Sequence, residues 1–171
     1  MLYLRLFTIF LIINLCSYAQ CVNEKMFNDH IINETEYIDE NAEEVFKLLQ
    51  KAYYVKSNHE FNHLVFQALE SSEEAEDVSA GVYLKVKEIK DSSLKCNEFI
   101  QSQDVDELNT YLYNSMTYLN QAHNQLLMIT DGDKLWEKKQ GVVEVIKKIK
   151  LALNQNLNIS NDATVAMLEY R

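Results

Sequence analysis

Proline is absent from this chain of 171 residues, and glycine occurs only three times, at Gly81, Gly132 and Gly141. Tight turns depend heavily on these two residue types, so the turn-rich architectures of all-β proteins are excluded. Gly-rich phosphate-binding loops are excluded for the same reason. Long helices with few connections are the structure that such a composition favours.

Positive charge is also scarce, since 16 Lys and Arg residues stand against 26 Asp and Glu residues and give a formal net charge of −10. Nucleic acids and anionic membrane surfaces repel a chain of this charge, so we expect neither as a partner. A chain of this length is long enough to bury a core of its own. We therefore expect a single acidic domain.

The N-terminal segment has the pattern of a secretory signal peptide. Arg5 precedes the apolar run from Leu6 to Ile13, and Ser17 and Ala19 place small residues where a signal peptidase reads. A transmembrane helix needs about twenty apolar residues, which this run does not reach. We predict a signal peptide over residues 1–19, a helical-bundle domain over residues 20–171, and secretion to the extracellular space. A retained N-terminal anchor is the alternative.

Cleavage at that point leaves Cys21 and Cys96 as the cysteines of the mature chain. An even pair in a secreted protein predicts one disulfide bond. Closing a loop of about 75 residues would stabilise the fold by roughly 4 kcal/mol on the chain-entropy model. Asn33 and Asn158 each begin an N-glycosylation sequon, which fits the same compartment.

Apolar and small residues recur at alternating spacings of four and three in three successive segments, as on one face of a helix. The first seam contains Ala75, Ser79, Val82, Val86, Ile89, Ser93, Cys96 and Ile100. The second contains Leu108, Leu112, Ser115, Leu119, Ala122, Leu126 and Ile129. The third contains Leu135, Val142, Ile146, Ile149 and Leu153. Upstream, Val45, Leu48, Leu49 and Ala52 form the inner face of a further helix.

Capping signals set the predicted boundaries of these helices. Asn41 with Glu44 starts the first helix, Asp104 with Glu107 forms a capping box, and the segment 130–133 supplies a stop glycine and a new cap. Ser160 could begin a short terminal helix. The sequence therefore predicts an all-α, antiparallel up-and-down helical bundle of four main helices plus one or two short helices, with one disulfide.

A single motif with catalytic spelling is present. His59-Glu60-Phe61-Asn62-His63 matches the H-E-x-x-H pattern, in which two histidines one helical turn apart bind zinc and the glutamate polarises a metal-bound water. Such a site needs a third protein ligand, and Phe66 and Leu69 stand where the extended motif has glycine and histidine. We read the two histidines as exposed residues on a polar helix end, and predict no metal site.

Two surface features could serve binding. Tyr111, Tyr118 and Trp136 are aromatic residues of the kind enriched at interfaces, because they bring large contact area at low entropic cost. Lys147, Lys148 and Lys150 belong to a set of six lysines on one predicted helix. The three aromatic residues together with Lys147, Lys148 and Lys150 are the predicted interaction face. The alternative is that the aromatic residues have ordinary boundary packing and the lysines serve charge complementarity within the bundle.

The sequence thus predicts a secreted, acidic glycoprotein without catalytic activity or cofactor, which presents a helical face to an extracellular protein partner. One alternative is an extracellular carrier of a lipid or other apolar ligand. A second is a small zinc metallopeptidase that uses His59, Glu60 and His63. We expect no stable membrane insertion after signal cleavage, and the pattern leaves the oligomeric state open.

Overall fold

The computed structural model describes residues 24–96, 102–130 and 134–169 of the chain. Over these ranges the chain forms four α-helices and no strand. They are α1 (Glu24–Tyr54), α2 (Asn58–Cys96), α3 (Ser102–Thr130) and α4 (Leu135–Glu169). The predicted all-α class is confirmed, and the helices form a bundle around one hydrophobic core. One or two additional short helices were predicted, and none occurs in the described ranges.

The predicted seams account for most of this core. All seven predicted positions of α3 are buried, from Leu108 to Ile129. In α2 the seam is buried from Ala75 to Val86, and it extends upstream through Phe61, Val65, Ala68 and Ser72. In α4 the centre of the seam differs, because Val145 and Ala152 are buried while Ile146 and Leu153 lie at its edge.

Two predicted boundaries, at Asn41 and at Ser160, are corrected by the structure. Helix α1 does not start at Asn41 but continues upstream to Glu24, and Ile31, Thr35 and Ile38 carry its buried seam through the acidic stretch. Helix α2 is continuous through Ser72, which is itself a core residue. Ser160 lies within α4 and does not begin a new helix. At Asn41 a buried seam passes through polar residues, so the local capping signal is overridden.

Each helix packs against two others. Helix α1 contacts α2 and α4, and α3 contacts α2 and α4, which places α2 and α4 at opposite corners of the bundle. Recorded contacts join Tyr37 to Glu74 between α1 and α2, and Ser72 to His123 between α2 and α3. Among the described helices, none is both long enough and apolar enough to cross a membrane.

Helices α3 and α4 approach closely near Gly141. A Cβ atom placed on Gly141 would lie 2.7 Å from Cγ1 and 2.9 Å from Cδ1 of Ile129, which is shorter than ordinary packing distances. Gly81 of α2 is different, because a Cβ atom there would meet nothing within 4 Å. Of these two glycines, Gly141 is therefore required for helix packing, whereas Gly81 lies on an open surface.

Candidate interaction surface

The six residues of the predicted interaction face do not share one environment. Tyr111 and Tyr118 of α3 are half-buried and pack against the core. Lys148 of α4 lies over the ring of Tyr118, with its Nζ 5.8 Å from the ring centre, so these two residues belong to the α3–α4 junction. Trp136 is 58% exposed. Lys147 is exposed as well, and its Nζ donates a hydrogen bond to Glu144 Oε1 at 2.6 Å.

Several lysines of α4 reach neighbouring helices. Lys138 is buried and its Nζ donates to Asn62 Oδ1 at 3.0 Å. Lys139 donates to the carbonyl oxygen of Val55 at 2.6 Å, and Lys150 lies over the ring of Phe46 at 5.3 Å. These lysines therefore help to hold α4 against its neighbours, through an amide, a carbonyl oxygen and an aromatic ring. Lys150 nevertheless remains exposed to solvent.

Opposite the buried seam, α4 presents a second row of residues with helical spacing. We define the α4 outer face as Trp136, Val143, Lys147, Lys150 and Leu157. Spacings of seven, four, three and seven keep these five residues within one stripe. Leu157 is 60% exposed, and Val143 is 37% exposed. The face thus combines three exposed apolar side chains with two lysines.

The sequence interpretation missed Val143 and Leu157 on this face. It searched for clusters of lysines and aromatic residues, and both residues look like ordinary members of an apolar helix in that search. The available signal was their spacing, because Trp136, Val143, Lys150 and Leu157 follow one another at intervals of seven residues. Such a row, offset from the core seam, marks a second face of the helix.

The H-E-x-x-H motif lies at the start of α2. Ser57 precedes the helix, and its Oγ accepts a hydrogen bond from the backbone N–H of Glu60 at 3.4 Å. His59, Glu60 and His63 are all exposed. Among the described residues, no group of three or more His, Cys, Asp or Glu side chains is arranged to hold a metal ion. Ser57 therefore caps α2 through the backbone of Glu60, and the described residues offer no third ligand to the two histidines.

Polar side chains form a chain through the bundle. Ser115 Oγ donates to Asn156 Oδ1 at 2.6 Å, and Asn156 Nδ2 donates to Asp39 Oδ1 at 2.7 Å. Burial raises the pKa of Asp39 above its ordinary value of 3.8, and the nearby carboxylates of Glu43 and Glu36 act in the same direction. The hydrogen bond from Asn156 opposes this shift. The chain links α3, α4 and α1, and it has no nucleophile or base arrangement of a catalytic site.

A pocket of about 270 Å³ lies between α3 and α4, with Met128, Ile129 and Gly141 among its lining residues. It opens to solvent and is not enclosed by the core. Typical sites for drug-sized ligands have volumes of roughly 300 to 1,000 Å³ and surround most of the ligand. The pocket is therefore small and shallow for a lipid.

The remaining predicted sites concern modification. Asn33 is exposed on α1, while Thr35 of the same sequon is buried in the core. Asn158 is partly exposed on α4. Cys21, the side chain of Cys96 and the signal peptide over residues 1–19 lie outside the described part of the structure, so the disulfide stays a prediction. Neither a family model, nor a curated protein, nor a solved structure matches this chain.

Proposed function

We propose that this chain is a secreted, non-enzymatic binding protein, an antiparallel up-and-down bundle that presents the α4 outer face to another extracellular macromolecule. The signal-peptide pattern, the cysteine pair and the two sequons support secretion. Three exposed apolar side chains beside two lysines on one helix face are the observation that carries the binding role.

The recorded contacts support the up-and-down order. Between α1 and α2, His30 pairs with Lys85 and Tyr37 pairs with Glu74. Residue numbers therefore increase along α1 where they decrease along α2, as expected for antiparallel helices. Between α2 and α3, Ser72 pairs with His123 and Tyr83 with Tyr113. Contacts of Ile129 with Gly141 and of Ser115 with Asn156 run the same way between α3 and α4. Short connections favour this arrangement.

The composition of the α4 outer face fits macromolecular recognition better than transport of an apolar ligand. Exposed apolar residues on soluble proteins mark interaction sites when they cluster, and Trp is enriched among the residues that dominate binding energy. Among the described residues, the pocket between α3 and α4 is open and small, so it offers the carrier alternative no enclosed site. Lysines at the centre of the face favour a partner that carries acidic groups.

Site-specific photo-crosslinking tests this proposal. A photoreactive benzoylphenylalanine replaces Val143 on the α4 outer face, and the mature chain is incubated with extracellular fluid from the tissue that expresses it. We expect a discrete cross-linked product, identified by mass spectrometry. The matched control places the same residue at Asn124, which is exposed on α3.

The charge-reversed variant Lys147→Glu/Lys150→Glu should lose the product formed from position 143, because it repels an acidic partner. Equal yields from positions 143 and 124, or no product from position 143, would show that α4 does not present the binding face.

A further inference from the structure

The outward side of α2 carries a row of residues that is complementary to the α4 outer face. We define the α2 acidic face as Phe66, Glu70, Glu73, Asp77, Gly81 and Leu84, all of which are exposed. Their spacings of four, three, four, four and three keep them on one stripe, opposite the buried seam of α2. Acidic residues occupy the centre of this stripe and large apolar residues occupy its ends.

Exposure at both ends of the α2 acidic face is high. Phe66 is 54% exposed and Leu84 is 57% exposed. Within the described residues, Glu70, Glu73 and Asp77 take part in none of the ion pairs. These carboxylates are therefore available to lysines from outside the chain.

The two faces match in length and in the order of their chemistry. Phe66 and Leu84 are about 27 Å apart along the helix, and Trp136 and Leu157 are about 32 Å apart, from the rise of 1.5 Å per residue. Each face has apolar residues at its ends and charges between them, acidic on α2 and basic on α4. Gly81 lacks a side chain at the edge of the acidic centre, and nothing lies within 4 Å of its missing Cβ. A second helix can therefore approach the α2 backbone closely.

We propose that the partner of the α4 outer face is a second copy of this chain, bound through its α2 acidic face. This inference rests on the proposed binding role of α4 and names the partner. Because α2 and α4 lie at opposite corners of the bundle, the contact joins different surfaces of the two copies. In a dimer, one copy keeps its α2 acidic face free and the other keeps its α4 outer face free, so the assembly grows head to tail beyond a dimer.

Other acidic surfaces fit less well. The outward side of α1 carries Glu36, Glu40 and Glu43, but Lys47 follows in the same row and binds Glu43 at 3.3 Å. Among the residues whose side chains are described, that row has Tyr54 at one end and no exposed apolar residue comparable to Phe66 at the other. The α1 side is therefore the competing surface that the experiment has to separate from α2.

Two charge-reversed variants test the inference by sedimentation velocity over a concentration series. Wild-type protein should form species larger than a dimer as its concentration rises. Lys147→Glu/Lys150→Glu and Glu70→Lys/Glu73→Lys should each weaken association by about tenfold or more when studied alone, because like charges then face one another. Mixing the two variants should restore association, because each supplies the complement of the other.

Controls separate this contact from general charge effects. Lys51→Glu/Lys56→Glu reverses two exposed lysines on α1 and in the following turn, and it should associate like wild type. Gly81→Gln adds no charge, but it should weaken association because its side chain separates the two helices. Circular dichroism should show an unchanged helix content for every variant.

A wild-type chain that stays monomeric at all concentrations would overturn the inference, as would two variants that do not associate when mixed. Recovery on mixing the α4 variant with Glu36→Lys/Glu40→Lys, but not with Glu70→Lys/Glu73→Lys, would assign the contact to α1 and would also overturn it. A monomer that still cross-links another protein from position 143 would leave the proposed binding function intact. A monomer without such a product would remove both proposals.

Discussion

Asp39 places a carboxyl group partly inside the bundle, where its protonated form is favoured. Because its pKa is raised in the folded state, the stability that it contributes is fully present below pH 3.8, the ordinary value, and is lost as the pH rises through the raised pKa. The neutral variant Asp39→Asn keeps an acceptor for Asn156. We expect it to be more stable than wild type at neutral pH.

Thermal unfolding of both proteins between pH 3 and pH 7 measures this effect. The two melting temperatures should lie close together at the acid end and separate as the pH rises, with Asp39→Asn higher. Glu36→Gln removes one of the neighbouring carboxylates, so it should also raise the melting temperature above that of wild type as the pH rises, by a smaller amount than Asp39→Asn. A variant less stable than wild type at neutral pH would show that Asn156 needs the ionised carboxylate.

At the level of whole helices, replacing glycine by alanine should affect the stability of the bundle differently at Gly81 of α2 and at Gly141 of α4. Alanine is favoured over glycine in a helix by about 1 kcal/mol, so Gly81→Ala should stabilise the bundle by about that amount. Gly141→Ala gains the same propensity but forces Ile129 to move within a packed contact, which costs roughly 1 to 3 kcal/mol.

Urea unfolding at low protein concentration, where self-association does not contribute, compares the two variants. We expect Gly81→Ala to unfold at higher urea than wild type, and Gly141→Ala at lower or unchanged urea. Gly141→Ala should cost less stability in an Ile129→Ala background than in wild type, because the smaller side chain makes room for the new methyl group. Equal stabilisation by both alanines would mean that α3 and α4 are not in close contact at Gly141.

The helices differ in how far their sequences predict them, and the reason is the chemistry of their seams. Helix α3 has apolar residues at nearly every seam position, so the whole row from Leu108 to Ile129 could be predicted. The buried seam of α4 includes Lys138 and Asn156. Because these two residues are polar, the sequence alone does not show which positions of α4 face the core. Only the structure shows that their polar atoms bind Asn62, Ser115 and Asp39 across the bundle.

The sequence did not predict the first half of α1, because its many acidic residues obscure the helical spacing of its apolar ones. Acidic residues crowd the segment from Glu34 to Glu44, and they suggest a solvated region if read along the chain. Read at helical spacing, Ile31, Thr35, Ile38 and Ala42 occupy the inner side and the acids occupy the outer side. The outward rows of α2 and α4 could not be assigned for a related reason, since exposure depends on which neighbours each helix acquires.

For the molecule as a whole, the covalent link between Cys21 and Cys96 is the testable expectation. Mass spectrometry of secreted protein should show a chain that begins at Gln20 and does not react with an alkylating reagent until it is reduced. Reduction should lower the free energy of unfolding by up to about 4 kcal/mol, because a loop of about 75 residues is released. Cys96→Ser should show the same loss without a reductant. Alkylation of unreduced protein would contradict the link.

The position of Thr35 has a consequence for the order of events during biosynthesis. A glycosylating enzyme must recognise both ends of a sequon, and here Asn33 is exposed while Thr35 lies in the core. A glycan at Asn33 therefore has to be attached before α1 packs against the bundle. Modification and folding then compete in time, so variants that fold slowly should carry more glycan at Asn33, and a chain that has already folded should accept none.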